Sequence, residues 1–195
     1  MDKKTAKRYS IIQAAIEVFG KSNFKNSSIA EIAQRANIAE GTIYQYFKDK
    51  EDLFFSIPVE KTREFCEELE LHLEGITGGL NKIRKYIWYY IHFFKKNPEY
   101  GKILLLEMRV NKNFVGTKTY NSFRKSTGRI LEIIQEGQEE GMIRKDVNVY
   151  IIRQLILGIL EHIVTRWLLR GEKYDLMEHY EDVTKLVING ISCLK

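Results

Sequence analysis

The chain has 195 residues and only two cysteines, Cys66 and Cys193, and two prolines. Two cysteines cannot build a disulfide framework or a four-cysteine zinc site within one chain. They are expected to be reduced thiols of a reducing compartment. Scarce proline beside abundant Leu, Ile, Glu and Lys favours helices. No long apolar run is present either. Leu155 to Leu160 is the most apolar stretch, and Arg153 and Glu161 cut it off, far short of the roughly 20 residues a membrane span needs. Met1 to Tyr9 is polar and basic and no apolar segment follows it, which does not fit a signal peptide. A cytoplasmic protein with no membrane partner is expected. The four histidines, His72, His92, His162 and His179, are scattered. None forms a close metal-binding pair, and Gly78-Gly79 lacks the context of a phosphate-cradling loop. No constellation meets the geometric requirements of catalysis, so an enzyme, a metal site and a cofactor are not expected.

What is present is an ordinary globular composition, 44% hydrophobic and 29% charged, long enough for one large domain or two small ones. The net charge of +5 is uneven. Residues 1–50 carry nine Lys/Arg against five Asp/Glu, and so hold +4 of it. A basic segment at one end calls for an anionic partner, nucleic acid first.

Every long segment repeats at the helical period. Ile11, Ile12, Ala15, Ile16 and Phe19 follow i, i+3, i+4, i+7 spacing, with Gly20 as the expected stop. Ser28 and Glu31 match a capping box opening a helix over about 28–36. Asn37 suits the left-handed position of a tight turn. A second short helix is expected over 39–47, and Asp49 then caps a long one carrying Leu53, Phe54, Ile57 and Leu69. Leu80, Ile83, Ile87, Tyr90, Ile91 and Phe94 mark the next. Pro98 suits the first turn of another, bearing Tyr100, Ile103, Leu104, Leu106 and Met108. After a polar break at 111–116 come a helix from Tyr120 through Phe123 to Ile134, ended by Gly141, then helices over 147–169 and 174–194. The fold class is all-α, about nine helices, with no convincing strand.

Residues 28–47 have the layout of a helix-turn-helix, whose second helix enters the major groove of DNA. Such a second helix hides only one stripe, so Tyr44, Tyr46 and Phe47 cannot all be core. Ile43 and Phe47 are the apolar candidates for burial. Gly41 lets backbone approach DNA closely, and Thr42 offers a hydroxyl and a methyl to phosphate or thymine. Tyr44 can donate to a phosphate oxygen; Tyr46 either does the same or braces the domain. Lys48 and Lys50 can neutralise phosphates. Ser27 and Ser28 stand at the start of the first helix as further phosphate donors. Glu40 suits the helix dipole but repels phosphate, leaving acceptance from cytosine N4 as its candidate role.

Ile11–Phe19, Ser28–Ala33 and Gly41–Glu51 together resemble the N-terminal domain of the TetR family of bacterial repressors. The chain departs from the family's pattern at Asn37, where Gly is usual, and at Ala39, where a capping Ser or Thr is frequent. The resemblance implies an all-helical fold, with a helix-turn-helix domain over 1–48 and a ligand-binding and dimerisation domain over 49–195. It also implies a homodimer that binds a palindromic operator in double-stranded DNA and releases it when a small molecule binds.

The penultimate helix is apolar almost all round, so several neighbours must bury it. Ile152, Ile156, Ile159 and Ile163 from it, with Tyr180, Val183 and Val187 from the last helix, are the candidate dimer contacts of a four-helix bundle about a two-fold axis. The middle helices supply candidate ligand contacts: Trp88, Tyr89, Phe93, Leu105, Met108, Phe123 and Leu157. Arg109 and Arg166 are among several basic residues, with Arg84, Lys85, Arg124, Lys125 and Arg129, available to an anionic group. Leu106–Arg109, Glu136–Ile143, Arg153-Gln154, Gly158, Trp167 and Lys173–Leu176 are similar to the FadR-type members of the family. These repress fatty-acid degradation genes and are released by long-chain acyl-CoA. An acyl tail wants an apolar tunnel and CoA phosphates want Lys or Arg at its mouth. A multidrug-type effector, an aromatic cation held by Glu107 or Glu161 beside Trp88, is the alternative.

Overall fold

The computed structural model describes residues 2–114, 116–117, 120–121 and 128–193. Among them lie nine α-helices: α1 (Lys3–Asn26), α2 (Ile29–Arg35), α3 (Glu40–Tyr44), α4 (Lys50–Leu73), α5 (Gly79–Lys96), α6 (Pro98–Gly101), α7 (Arg129–Glu139), α8 (Val149–Leu169) and α9 (Tyr180–Ile191). A π-helical stretch, Lys102–Met108, continues α6, and a 3₁₀ turn, Leu176–His179, precedes α9. The described residues contain no strand, only an isolated antiparallel bridge between Ile143 and Ser192. Contacts divide the chain into two compact units. One comprises the chain up to Lys61 with Pro98–Phe123, the other Thr62–Asn97 with the chain from Arg124 onward.

In the first unit, Ile11, Ile12, Ala15 and Phe19 of α1 are buried with Ile32 of α2, Ile43 and Phe47 around α3, and Leu53 and Phe54 of α4. Each fully buried side chain of this size contributes about 1.5–3 kcal/mol. Gly20 does not stop α1, contrary to the expectation from sequence. A Cβ there would lie 2.4 Å from the Cβ of Glu99 and 2.8 Å from its Cα. The glycine permits a close crossing with α6, and α1 instead kinks at Asn23 (φ 61°) before ending at Asn26. α3 is also shorter than the expected 39–47: it ends at Tyr44, where the Gln45 and Tyr46 amides turn back to the Thr42 and Ile43 carbonyls at 3.2 and 2.9 Å. Asp49 does cap α4, accepting from the Asp52 amide at 2.8 Å, while Asp52 accepts from the Lys48 amide at 2.9 Å. The segment from Pro98 changes to π geometry yet buries Ile103, Leu104, Leu105 and Met108. Of the helix expected from Tyr120, Phe123 lies outside the described residues.

In the second unit, α5 and α7 cross where Gly79 meets Gly137. A Cβ on Gly79 would stand 2.4 Å from the Gly137 Cα and 2.6 Å from its amide nitrogen. Gly78 (φ 84°) brings no side-chain cap to α5. The carboxylate of Glu140 replaces one, accepting from the Gly79 amide at 2.8 Å, and Lys82 pairs with Glu136 beside it. Phe65 sits among Tyr86, Tyr89, Tyr90 and Phe93 at ring distances of 4.9–6.1 Å. The expected final helix over 174–194 is split. Asp175 accepts from the Met177 amide and opens the 3₁₀ turn, and α9 starts only at Tyr180.

Candidate nucleic-acid interface and ligand cavity

The helix-turn-helix is assembled by local bonds. Glu31 accepts the Ser28 amide at 2.7 Å while the Ser28 hydroxyl oxygen accepts the Glu31 amide at 3.2 Å. Asn37 takes the left-handed conformation (φ 53°), and the Ile38 amide returns to the Ala33 carbonyl at 3.0 Å, closing α2 in a Schellman-type turn. Arg35 pairs with Glu17, tying α2 to α1.

From this base, α3 projects outward. Ile43 and Phe47 are buried, and Arg8 lies 5.2 Å over the Phe47 ring. Tyr44 is 55% exposed, and Glu40, Gly41 and Lys48 share its outer surface, with Thr42 and Tyr46 half-buried at its flanks. A Cβ at Gly41 would meet nothing within 4 Å, so backbone is accessible there. Ser27 is buried, and its hydroxyl donates to the Phe24 carbonyl at 3.0 Å. Ser28 is exposed, its hydroxyl donating to Glu31. The Lys50 ammonium donates to the Ser27 carbonyl at 2.5 Å and lies 4.5 Å from the Phe24 ring centre. Further N–H directions on that ammonium can meet an anion. The structure thus leaves Glu40, Gly41, Tyr44 and Lys48 exposed and Thr42 half-buried, and links Ser27 to Lys50.

The candidate ligand residues divide between the units. Leu105, Met108 and Arg109 belong to the first, where Leu105 and Met108 are buried and Arg109 is exposed. Trp88, Tyr89, Phe93, Leu157 and Arg166 belong to the second. Tyr89 is buried and donates to Glu68 at 2.8 Å; burial, then that bond, pushes its phenol pKa well up. Trp88 is stacked on His92 at 4.8 Å and carries the Lys85 ammonium at 4.7 Å. Burial, then the nearby Lys96, holds the His92 imidazole below its usual pKa. Arg129 is paired with Glu70 and Glu132. Arg166 borders a cavity of about 430 Å³ with His162, Ile163, Arg170, Tyr174, Glu178 and His179. Phe123, Arg124 and Lys125 lie outside the described residues.

Of the candidate dimer contacts, Ile152, Ile156, Val183 and Val187 are buried inside their own protomer, while Ile159, Ile163 and Tyr180 are half-buried. The exposed apolar groups on these two helices are Tyr150, Ile151, Leu155 and Leu169 on α8 and Leu186 on α9; the sequence pattern marks Leu186 on the last helix but not Ile151 or Leu155. Their i, i+4 spacing at 151 and 155 is a signal, but an all-apolar helix offers several such stripes. Among the described residues no helix is long and apolar enough to cross a membrane, and no group of three or more His, Cys, Asp or Glu side chains could hold a metal.

Residues 11–57 match the family described as bacterial regulatory proteins, tetR family, and residues 59–190 match the YsiA-like protein, C-terminal region. The fatty acid metabolism regulator protein of Bacillus subtilis (strain 168) is 32% identical over 192 residues, covering 98% of both chains. The crystal structure of the transcriptional regulator FadR from Bacillus subtilis in complex with stearoyl-CoA is 31% identical, with a TM-score of 0.86 over 94% of this chain and 98% of that one. The fatty acid degradation regulator FadR from Bacillus halodurans is 27% identical, with a TM-score of 0.87 over 96% and 97%.

Proposed function

The chain belongs to the tetR family of bacterial regulatory proteins, DNA-binding transcriptional regulators that act as dimers, and from that membership we propose a repressor released from a palindromic operator by a long-chain acyl-CoA. The observation that carries the effector is the likeness, over nearly the whole chain, to a regulator whose structure holds stearoyl-CoA. In this reading residues 1–48 recognise the operator and 49–195 bind the effector and dimerise, and the protein works in the cytoplasm. The outer surface of α3 enters the major groove. Tyr44, Lys48 and Lys50 contact phosphates, joined by Ser28 at the start of α2, while Glu40 and Thr42 face base edges. Within the second unit, Trp88, Tyr89, Phe93 and Leu157 are the apolar groups available to the acyl chain. The charged end of the ligand fits the chemistry of the cavity beside Arg166 and Arg170, where two guanidiniums can grip phosphate oxygens bidentately. An aromatic-cation effector has less to work with. The Glu107 carboxylate is taken up by the Phe24 amide, and the Trp88 ring already carries Lys85.

The test is a thermal-shift and gel-shift series with stearoyl-CoA, stearate, CoA and a cationic dye. At a hundredfold excess over Kd, binding adds about 2.7 kcal/mol to stability, equivalent to about 5–10 °C in Tm for a chain of this size. Stearoyl-CoA is expected to give that shift and to release operator DNA. Stabilisation by the dye alone overturns the reading.

A further inference from the structure

We propose that Glu107 is a positioning residue for the DNA-contact face, acting through Phe24 on Lys50 and on the start of α2. The observations meet at one residue. α1 is broken at Asn23, whose backbone is left-handed. At the residue after the break, the Phe24 amide donates to the Glu107 carboxylate at 2.8 Å, across 83 residues of sequence. The Phe24 carbonyl accepts the Ser27 hydroxyl at 3.0 Å. The Phe24 ring packs 4.7 Å from Phe54 and lies under the Lys50 ammonium, which itself binds the Ser27 carbonyl. Ser28, next in the chain, caps α2. A single side chain outside α1–α4 therefore fixes the backbone from which both a phosphate-contacting lysine and the helix-turn-helix take their position.

Glu107 is also placed where its grip can change. It rides on the π-helical stretch Lys102–Met108, a geometry rare in proteins and frequent at functional sites. Conversion of that stretch to α geometry would shift the register of its side chains and withdraw the carboxylate from Phe24. The DNA-contact face would then lose its brace without any ligand touching it.

The test is a double-mutant cycle on the full-length dimer, using the operator recovered by in vitro selection with the wild-type protein. Glu107→Ala is expected to weaken operator binding about tenfold and to flatten the salt dependence by about one phosphate contact, as Lys50→Ala does. The double variant should lose about one contact in all, since the second change removes what the first already displaced. Glu107→Gln keeps an acceptor oxygen and is expected to bind as the wild type. Additive losses, or Glu107→Ala with unchanged affinity and slope, overturn the proposal. Hydrogen exchange gives a readout that does not need the alanine variant to fold. The Phe24 amide should exchange slowly in the wild type and in Glu107→Gln, and rapid exchange there in both overturns the proposal. One further arm rests on the effector proposed above: the loss of operator affinity caused by stearoyl-CoA should shrink in Glu107→Ala. A wild-type protein indifferent to stearoyl-CoA counts against that effector and leaves the cycle to decide the role of Glu107.

Discussion

Replacing Gly79 by alanine should be the costliest single methyl that can be added to the second unit. The new Cβ would lie 2.4 Å from the Gly137 Cα, 2.6 Å from its nitrogen and 3.0 Å from the Ile133 carbonyl oxygen. Ordinary carbon contacts need about 3.5 Å, so α5 and α7 must separate by about 1 Å. No rotamer change can relieve the overlap, because the atoms met are backbone. Overpacking of this kind costs about 1–3 kcal/mol, occasionally more, and rigid surroundings place Gly79→Ala near the top, at about 3 kcal/mol. Gly79 opens its helix, so the propensity gain of alanine offsets little of this. Gly137 provides the control. Its Cβ would meet Ile143 Cδ1 at 2.4 Å and Cγ1 at 2.8 Å, atoms of a side chain that can turn away. Mid-helix, alanine also regains about 1 kcal/mol of propensity over glycine. Gly137→Ala should therefore cost about 1 kcal/mol, part of it recovered by adding Ile143→Val. With about 2–4 °C in Tm per kcal/mol for a chain of this length, Gly79→Ala should melt about 6–12 °C below wild type and Gly137→Ala about 2–4 °C below. Calorimetry at one fixed protein concentration is required, because dimerisation makes Tm concentration-dependent. A Gly79→Ala protein melting within 2 °C of wild type, or above Gly137→Ala, would show that the α5–α7 crossing tolerates the extra methyl.

Two other predictions follow from burial and charge. Leu155 is 50% exposed and Ile156 is 0% exposed, so Leu155→Glu should leave a folded chain that sediments as a monomer and loses operator affinity, whereas Ile156→Glu should unfold it. A Leu155→Glu protein with wild-type sedimentation removes that face from the dimer. For Glu107, burial raises the carboxyl pKa above its usual 4.5, opposed in part by the Phe24 amide. A raised folded-state pKa gives stability that is present at low pH and lost as pH rises through that value. Glu107→Gln, neutral throughout, should therefore melt above wild type at pH 7.5, with the gap narrowing towards pH 5; a gap that widens on acidification contradicts the assignment.

Legibility followed sequence distance. The Ser28–Glu31 capping box, the left-handed Asn37 and the Asp49 cap were readable because each is made by residues close together in the chain. The inward Ile43 and Phe47 and outward Tyr44 were readable because four-residue spacing fixes a helix face. Gly20 looks like a stop in the sequence because glycine serves both to end helices and to let them touch, and only the arrival of Glu99 distinguishes the two. The sequence had Ile152 and Ile156 in view but not Ile151 and Leu155, since an all-apolar helix acquires an inside only when its neighbours are in place.

By itself, then, the order of residues determined what local hydrogen bonds and the helical period can determine: an all-helical chain, a helix-turn-helix near its start, and a basic charge placed to meet DNA. The tertiary structure alone decided what depends on segments far apart in the chain. It set Gly79 against Gly137, joined Glu107 to Phe24, and gathered His162, Arg166, Arg170 and His179 around one cavity. Such contacts exist only after the entropy of closing long loops has been overcome by burial, and no local pattern records which of the many apolar stripes will meet.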